Sequence, residues 1–226
     1  MDGNEYSLLQ IFADGGIFMY PLVLCSLLAF GVIIAKAYTL WAAHRKSREI
    51  LQRVGELGKQ GKLDEAIRLA ADTPGPVAAI LLSGLRRVYE RNASGKDVEK
   101  AVKTTGAIEL GFLERGLIVL ATISNVAPLL GFLGTVAGMI SAFGAIAEAG
   151  QVEASLVAGG IKVALITTAA GLVIAIPVNI GYNFFVTRID KLIEDMEEGS
   201  TAVLELVWAR EKQFAAMGGR AVPTEK

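Results

Sequence analysis

The chain has 226 residues, of which 53% are hydrophobic and 20% charged, and its mean hydropathy of +0.48 is too high for an ordinary soluble domain of this size. The net charge of −1 gives no reason to expect nucleic-acid binding. One cysteine and one histidine exclude an internal disulfide and paired-histidine zinc motifs, and no phosphate loop or catalytic triad pattern occurs, so we expect neither a cofactor nor enzymatic activity.

The first long apolar segment covers residues 17–41 and contains Lys36 as its only charge. It exceeds the roughly 20 residues needed to cross the hydrocarbon core of a bilayer. Residues 1–16 carry acidic side chains but no Lys or Arg, unlike the basic start of a signal peptide. We therefore predict an extracytoplasmic N-terminal tail at 1–16 and a retained transmembrane helix 1 at 17–41.

Two further apolar segments follow, at 117–147 and 156–186, and Lys162 is the only charged residue in either. Each exceeds the length that a bilayer requires, which predicts tilted or protruding helices. The short link at 148–155 requires the two helices to be antiparallel neighbours. These segments are predicted to be transmembrane helices 2 and 3.

Basic residues flank the spans on one side only. Lys and Arg follow 17–41, precede 117–147 and follow 156–186, whereas 1–16 and 148–155 contain none. The positive-inside rule places basic flanks in the cytoplasm. It predicts a cytoplasmic helical region at 42–116, an extracytoplasmic loop at 148–155, a periplasmic N terminus and a cytoplasmic C terminus.

The predicted cytoplasmic parts have helical apolar spacing. Ser94 followed by Asp97 resembles a capping signal for a helix that runs toward the second span. Residues 187–226 are predicted to form an amphipathic helix to about Phe214 and then a disordered tail from Gly218.

Small or weakly polar residues follow one face of spans 2 and 3. In span 2, steps of three and four connect Ala121, Ser124, Pro128, Gly131, Thr135, Gly138, Ala142 and Ala145; in span 3 the series is Gly160, Ala164, Thr168, Gly171 and Ala175. Such stripes let helices approach closely in lipid. The threonines either bond back to their own helices or join a water chain in a lumen, and spacing alone leaves both open.

Spans 2 and 3 contain no Asp, Glu or His. A proton path through a bilayer needs a titratable group, so this chain alone does not supply the relay. Lys162 lies near the loop end of span 3, where it either snorkels to the interface or faces a lumen.

The sequence resembles the MotA/TolQ/ExbB proton-channel family, specifically its three-span ExbB/TolQ branch. The resemblance covers most of the chain and is strongest at 115–117 and 120–140 (LATISNVAPLLGFLGTVAGMI). It continues through 160–161, 164–172 (ALITTAAGL), 175–177 and 182–183, and more weakly through 61–66 and 74–76.

The resemblance implies an all-α integral membrane fold that assembles as a pentameric ring, with spans 2 and 3 lining a central pore. A dimer of an ExbD- or TolR-like one-span protein would insert into the pore and supply an intramembrane aspartate. The ring would use the proton motive force of the bacterial inner membrane to energise an envelope process, such as TonB-dependent transport, through a TonB-like or TolA-like protein.

The resemblance also assigns site residues. Thr135 and Thr168 match pore-lining threonines beside the partner's aspartate. Pro128 and Pro177 would shape the helices, and Asn183 would make a polar contact at the cytoplasmic end. For Gly131, Gly138 and Gly171, the small-residue stripes themselves predict helix packing.

One position departs from the pattern. The branch commonly has an acidic residue shortly before its third-span threonine, whereas this chain has Val163 preceded by Lys162. The ion's entry route and the choice between proton and sodium therefore stay open. A Tol-type or gliding-type motor is also an open alternative to a TonB-linked one. Outside the motor class, a non-conducting membrane scaffold fits the small-residue stripes equally well. An independent channel would need titratable or ion-binding groups of its own in the membrane.

Overall fold

A computed structural model of the chain describes residues 8–89, 94–151 and 154–216. These residues form seven α-helices and one 3-10 turn, with no β-strand among them, so the all-helical fold is confirmed. In chain order the elements are α1 (Leu8–Asp14), the 3-10 turn (Gly16–Phe18), α2 (Met19–Lys59), α3 (Leu63–Asp72), α4 (Pro76–Tyr89), α5 (Gly95–Glu114), α6 (Leu117–Ala149) and α7 (Ala154–Ala216).

Three of these helices, α2, α6 and α7, are each long and apolar enough to cross a membrane. The described residues thus contain three candidate spans, the number that the sequence predicts. α2 and α7 have 41 and 63 residues, far more than the roughly 20 that a bilayer needs. Each continues without interruption from its apolar segment into its amphipathic one.

The chain divides into two compact units. One comprises Met1–Ala37 and Gly116–Val186, and we call it the span unit; the other comprises Tyr38–Arg115 and Thr187–Lys226, and we call it the amphipathic unit. α2 and α7 contribute to both units. The predicted disordered tail at 218–226 lies outside the described residues.

The amphipathic unit has a core of branched aliphatic side chains. Leu81 and Leu85 of α4, Val98 of α5 and Val203 of α7 are almost completely buried there. Val54 of α2 belongs to the same cluster. Because apolar residues recur at helical spacing, each helix turns one stripe into this core.

The predicted cap at the start of α5 is confirmed. The backbone N–H of Asp97 bonds to the Ser94 hydroxyl, and the Asp97 carboxylate accepts from the Ser94 backbone N–H at 3.0 Å and from its hydroxyl at 2.9 Å. Two hydrogen bonds lower the pKa of Asp97 below its ordinary value: the bond from the Ser94 backbone N–H has the larger effect, and the bond from the Ser94 hydroxyl has the smaller one.

In the span unit, the residues before the first span include a helix, α1, that the sequence analysis did not assign. Phe12 packs edge-on against Tyr20, with the ring centroids 5.1 Å apart. At the other end of the unit, Gly116 precedes α6 with φ +90°, a conformation that favours glycine. α6 ends at Gly150, which has φ +67° and donates its N–H to the Ile146 carbonyl.

Candidate functional site

The contact between α6 and α7 is made by glycine backbones. A Cβ atom placed on Gly138 would lie 2.6 Å from the carbonyl oxygen of Gly160, and one on Gly171 would lie 2.6 Å from that of Ala127. A Cβ on Gly131 would lie 2.9 Å from the Thr167 carbonyl oxygen. These distances leave no room for a side chain, so the three glycines that the sequence analysis selected lie where the two backbones approach most closely.

The same contacts give the register of the pair. Ala127 stands beside Gly171, Gly131 beside Thr167, and Gly138 beside Gly160, so residue numbers rise along α6 as they fall along α7. The two helices are therefore antiparallel.

Two sides of the helix pair can be distinguished. Besides the Thr167 backbone, Gly131 contacts Thr168, whereas Gly134 contacts the Thr167 side chain. Thr167 and Thr168 are successive residues, so their side chains are about 100° apart around α7. The Gly131–Thr168 and Gly134–Thr167 contacts therefore fall on opposite sides of the line that joins the two helix axes. Thr135 lies about 40° beyond Gly131, away from Gly134. Thr135 and Thr168 consequently share one side, which we call the open side; Thr167 lies on the other, the covered side.

The covered side is packed by other parts of the span unit. Gly15 lies against Ile166, and Ile33 of α2 lies against Gly181. Beside these contacts is a cavity of about 400 Å³, whose lining includes Phe18 and Ser141. Thr167 is completely buried, and its hydroxyl points back to the carbonyl oxygens of Val163 and Ala164, both at 3.0 Å. Its polar group is therefore satisfied within its own helix.

The open side exposes its side chains, Phe132, Leu165 and Leu172 among them. Thr168 donates its hydroxyl hydrogen across the helix pair to the Gly131 carbonyl at 3.2 Å, and Thr135 donates to the Phe132 carbonyl of its own helix. Each hydroxyl has one hydrogen but two lone pairs. Both oxygens thus keep acceptor capacity on the open side.

The remaining site residues of the sequence analysis lie elsewhere on the same two helices. Pro128 and Pro177 lie inside α6 and α7, which continue past them. Asn183 donates its side-chain amide to the Asn179 side-chain oxygen at 2.9 Å, one turn earlier in α7.

Lys162 is directed toward the N-terminal segment. Its Nζ lies 2.6 Å from Oδ2 of Asp14, and the two side chains are 47% and 32% exposed. Lys162 is about 120° around α7 from Thr168. The sequence left open whether Lys162 snorkels to the interface or faces a lumen; in the structure its charge pairs with Asp14 and is directed away from the threonine side.

Comparisons with known proteins agree with this architecture. Residues 72–198 match the MotA/TolQ/ExbB proton channel family. The chain is 34% identical over 192 residues to a putative biopolymer transport protein ExbB homolog of Methanothermobacter thermautotrophicus, covering 84% of this chain and 67% of that protein. It is 32% identical over 199 residues to the biopolymer transport protein ExbB of Pseudomonas putida, covering 84% of this chain and 59% of that protein.

A third relative is the Tol-Pal system protein TolQ of Haemophilus influenzae, which is 28% identical over 203 residues, covering 84% of this chain and 89% of that protein. The chain thus spans about two thirds or less of the first two relatives and most of the third. Together with three helices that are long and apolar enough to cross a membrane, these relatives support a multi-pass inner-membrane protein. The chain belongs to the MotA/TolQ/ExbB proton channel family, in its ExbB/TolQ branch.

Proposed function

We propose that this chain is the ring-forming subunit of an inner-membrane motor in which five copies surround an ion path lined by the open sides of their α6–α7 pairs. The observation that carries the proposal is the placement of Thr135 and Thr168 on that one side, while the neighbouring Thr167 is buried on the other. The N terminus would be periplasmic, and the amphipathic unit and C terminus cytoplasmic, as the basic flanks indicate.

The composition of the spans calls for a partner. Segments 117–147 and 156–186 contain no Asp, Glu or His, so the proton carrier must come from another chain. We assign this role to the membrane aspartate of a one-span protein of the ExbD or TolR type, two copies of which would occupy the ring. Relatives named ExbB and TolQ support such a partner. The motor would act on the envelope process through a TonB-like or TolA-like protein.

The hydroxyls of the open side suit a neutral carboxyl group. A protonated aspartic acid carries one O–H donor, and the oxygens of Thr135 and Thr168 offer acceptor capacity because their own hydrogens point to carbonyls. An ionised carboxylate offers only acceptors, so it would bind there only after a hydroxyl breaks its own bond. The open side therefore discriminates between the two protonation states of the carrier.

This discrimination gives a mechanism. Protonation from the periplasm neutralises the carrier, which lowers the free-energy cost of moving it along a largely apolar wall and lets the partner rotate within the ring. The two hydroxyls accept the carboxyl hydrogen in successive positions. Release of the proton toward the cytoplasm restores the charge and resets the partner. TonB-dependent transport is the process that we favour; a Tol-type or gliding-type system would use the same cycle.

Native mass spectrometry of the complex, purified through a tag on this chain from its own host, tests the composition. We expect five copies of this chain with two copies of a one-span protein that has a membrane aspartate. A ring without such a partner after gentle extraction would contradict the motor and favour the scaffold.

The role of the threonines is tested in the same complex reconstituted into liposomes. The combined change Thr135→Val and Thr168→Val is expected to reduce proton uptake, followed with an internal pH-sensitive dye, by more than tenfold while the subunit composition is unchanged. Unaltered uptake in an intact double variant would refute this role. Repeating the assay with a sodium gradient in place of a proton gradient distinguishes the two ions.

A further inference from the structure

Two side-chain amides are exposed within the apolar part of α7. Asn179 and Asn183 lie inside the segment 156–186, and both are exposed. Asn183 donates to the side-chain oxygen of Asn179, so the side-chain nitrogen of Asn179 takes no part in that bond. An amide donor directed into hydrocarbon is unfavourable, because lipid tails cannot accept its hydrogen. Asn179 therefore needs a polar environment at this depth.

Asn179 lies on the open side of the helix pair. It follows Thr168 by 11 residues, so the two side chains are about 20° apart around α7 and about 16 Å apart along its axis. The amide thus continues the side on which Thr168 lies, toward the end of the span unit that contains Gly116.

Along the axis of the helix pair, Ser124 of α6 lies between Thr168 and Asn179. It precedes Thr135 by the same 11 residues and therefore lies on the same side of α6. Because Ala127 stands beside Gly171, Ser124 comes about 9 Å beyond Thr168 and about 7 Å before Asn179 along the helix axes. Thr135, Thr168, Ser124 and Asn179 consequently follow one another along one side.

Ser124 also offers acceptors. Its side chain is half-buried, and its hydroxyl donates to the Ala121 carbonyl at 2.9 Å, which leaves lone pairs on the oxygen. Pro128 has no N–H and so cannot make the helical bond to the Ser124 carbonyl. The hydroxyl and the carbonyl of Ser124 together form a polar position on the open side of α6.

We propose that Ser124 and Asn179 hold a chain of ordered water that carries the proton from the Thr168 level to the Gly116 end of the span unit. Each water accepts a proton on one side and gives one up on the other, while the serine and the asparagine only orient the waters and keep their own protons. This inference rests on the proposed function and adds an exit route to it, with Asn179 as a positioning residue.

The accessibility of introduced cysteines tests whether water reaches this route. The experiment uses the complete complex in inverted inner-membrane vesicles. Cys25 is the only cysteine of the chain, so Cys25→Ala gives a clean background. The probe is a charged, membrane-impermeant methanethiosulfonate. We expect Asn179→Cys and Ser124→Cys to react at least tenfold faster than Ile180→Cys, a matched control because Ile180 adjoins Asn179 and is directed about 100° away.

The reactivity of Thr168→Cys separates this inference from the proposed function. If Thr168→Cys reacts while the cysteines at positions 124 and 179 do not, the proposed water route is wrong, but the proposed function of the open side as the lining of the ion path is retained. If none of the three reacts faster than Ile180→Cys, the open side is dry, and both the water route and the proposed function fail.

Proton uptake by reconstituted complexes provides an independent readout. Asn179→Leu is expected to reduce uptake at least fivefold with an unchanged subunit composition, and Asn179→Gln is expected to restore more than half of it. Thr122→Val is the control, because Thr122 is directed away from the open side and its hydroxyl bonds to the Ile118 carbonyl at 2.8 Å. Full uptake by Asn179→Leu, or none by Asn179→Gln in an intact complex, would overturn the positioning role.

Discussion

The two units of this protein are packed by opposite kinds of residue. In the amphipathic unit, Leu81, Leu85 and Val203 fill the core with branched side chains. In the span unit, α6 and α7 meet through Gly131, Gly138 and other small residues, and many large apolar side chains are exposed.

The solvent explains the difference. Water drives large apolar side chains into a core, whereas lipid tails are as apolar as leucine and give no such drive, so helices associate through close backbone contact. Substitutions should therefore act differently in the two units: truncation should harm the amphipathic unit, and enlargement should harm the span unit.

The largest expected effect is in the amphipathic unit. Leu85 is completely buried, so Leu85→Ala should lower the free energy of unfolding by about 2–5 kcal/mol through lost burial and a residual cavity. Leu82→Ala, at a partly buried position in the same helix, is the control and should have a smaller effect. Hydrogen exchange of α4 and α5 amides in the purified protein measures both, and equal losses would show that the core assignment is wrong.

In the span unit, adding one methyl group should be harmful. Gly138→Ala should cost roughly 1–3 kcal/mol, because the added Cβ is too close to the Gly160 carbonyl and the two helices must separate. Gly144→Ala is the matched control on α6, since beyond the neighbouring backbone of α6 itself no described atom lies within 4 Å of a Cβ built there. Thermal unfolding in detergent compares them, and a Gly138→Ala protein as stable as the control would refute the close contact.

Substitutions of the adjacent residues Thr167 and Thr168 distinguish a functional role from a packing role within the span unit. Thr168→Val should reduce proton uptake about tenfold, equivalent to about 1.4 kcal/mol in a barrier, because it removes a hydroxyl from the open side. Thr167→Val should leave uptake within twofold, since the Thr167 hydroxyl is buried and bonds to its own helix. Equal losses in the two variants would show that the side of the helix pair does not decide function.

A smaller effect is expected at the cap of α5 in the amphipathic unit. Ser94→Ala should cost about 1 kcal/mol through loss of the N-cap. Because hydrogen bonds lower the pKa of Asp97 in the folded protein, the stabilisation that its carboxylate provides is present at neutral pH and is lost as the pH falls through the lowered pKa. After correction for the intrinsic pH dependence of amide exchange, the protection of the amides at the start of α5 should therefore fall in acid in the parent protein and change less in Ser94→Ala.

The smallest effect is expected at the ion pair of the N-terminal segment. Asp14 and Lys162 are both partly exposed, so Lys162→Gln should cost at most about 1 kcal/mol and should leave proton uptake within twofold, since Lys162 is directed away from the open side. A large change in uptake would place this lysine on the ion path and would contradict the assignment of the two sides.

Much of the fold could be predicted from the sequence, because hydrocarbon sets the length of an apolar span and capping is a local interaction. The three candidate spans and the Ser94–Asp97 cap are examples, and the segments 115–117 and 120–140 carried most of the resemblance to the family. α1 was not predicted from the sequence. Asn183 was predicted as a polar contact and Asn179 was not, although the 11-residue separation between Thr168 and Asn179 was a detectable signal.

The sequence by itself determined the class of the protein: an all-helical membrane subunit whose spans lack a proton carrier of their own. Only the tertiary structure decided which side of α6 and α7 each polar residue occupies, that Thr167 is buried while Thr168 is not, and that Lys162 pairs with Asp14. The physical reason is that helical periodicity fixes angles within one helix, whereas the rotation of each helix against its neighbours depends on glycine contacts between segments far apart in the chain.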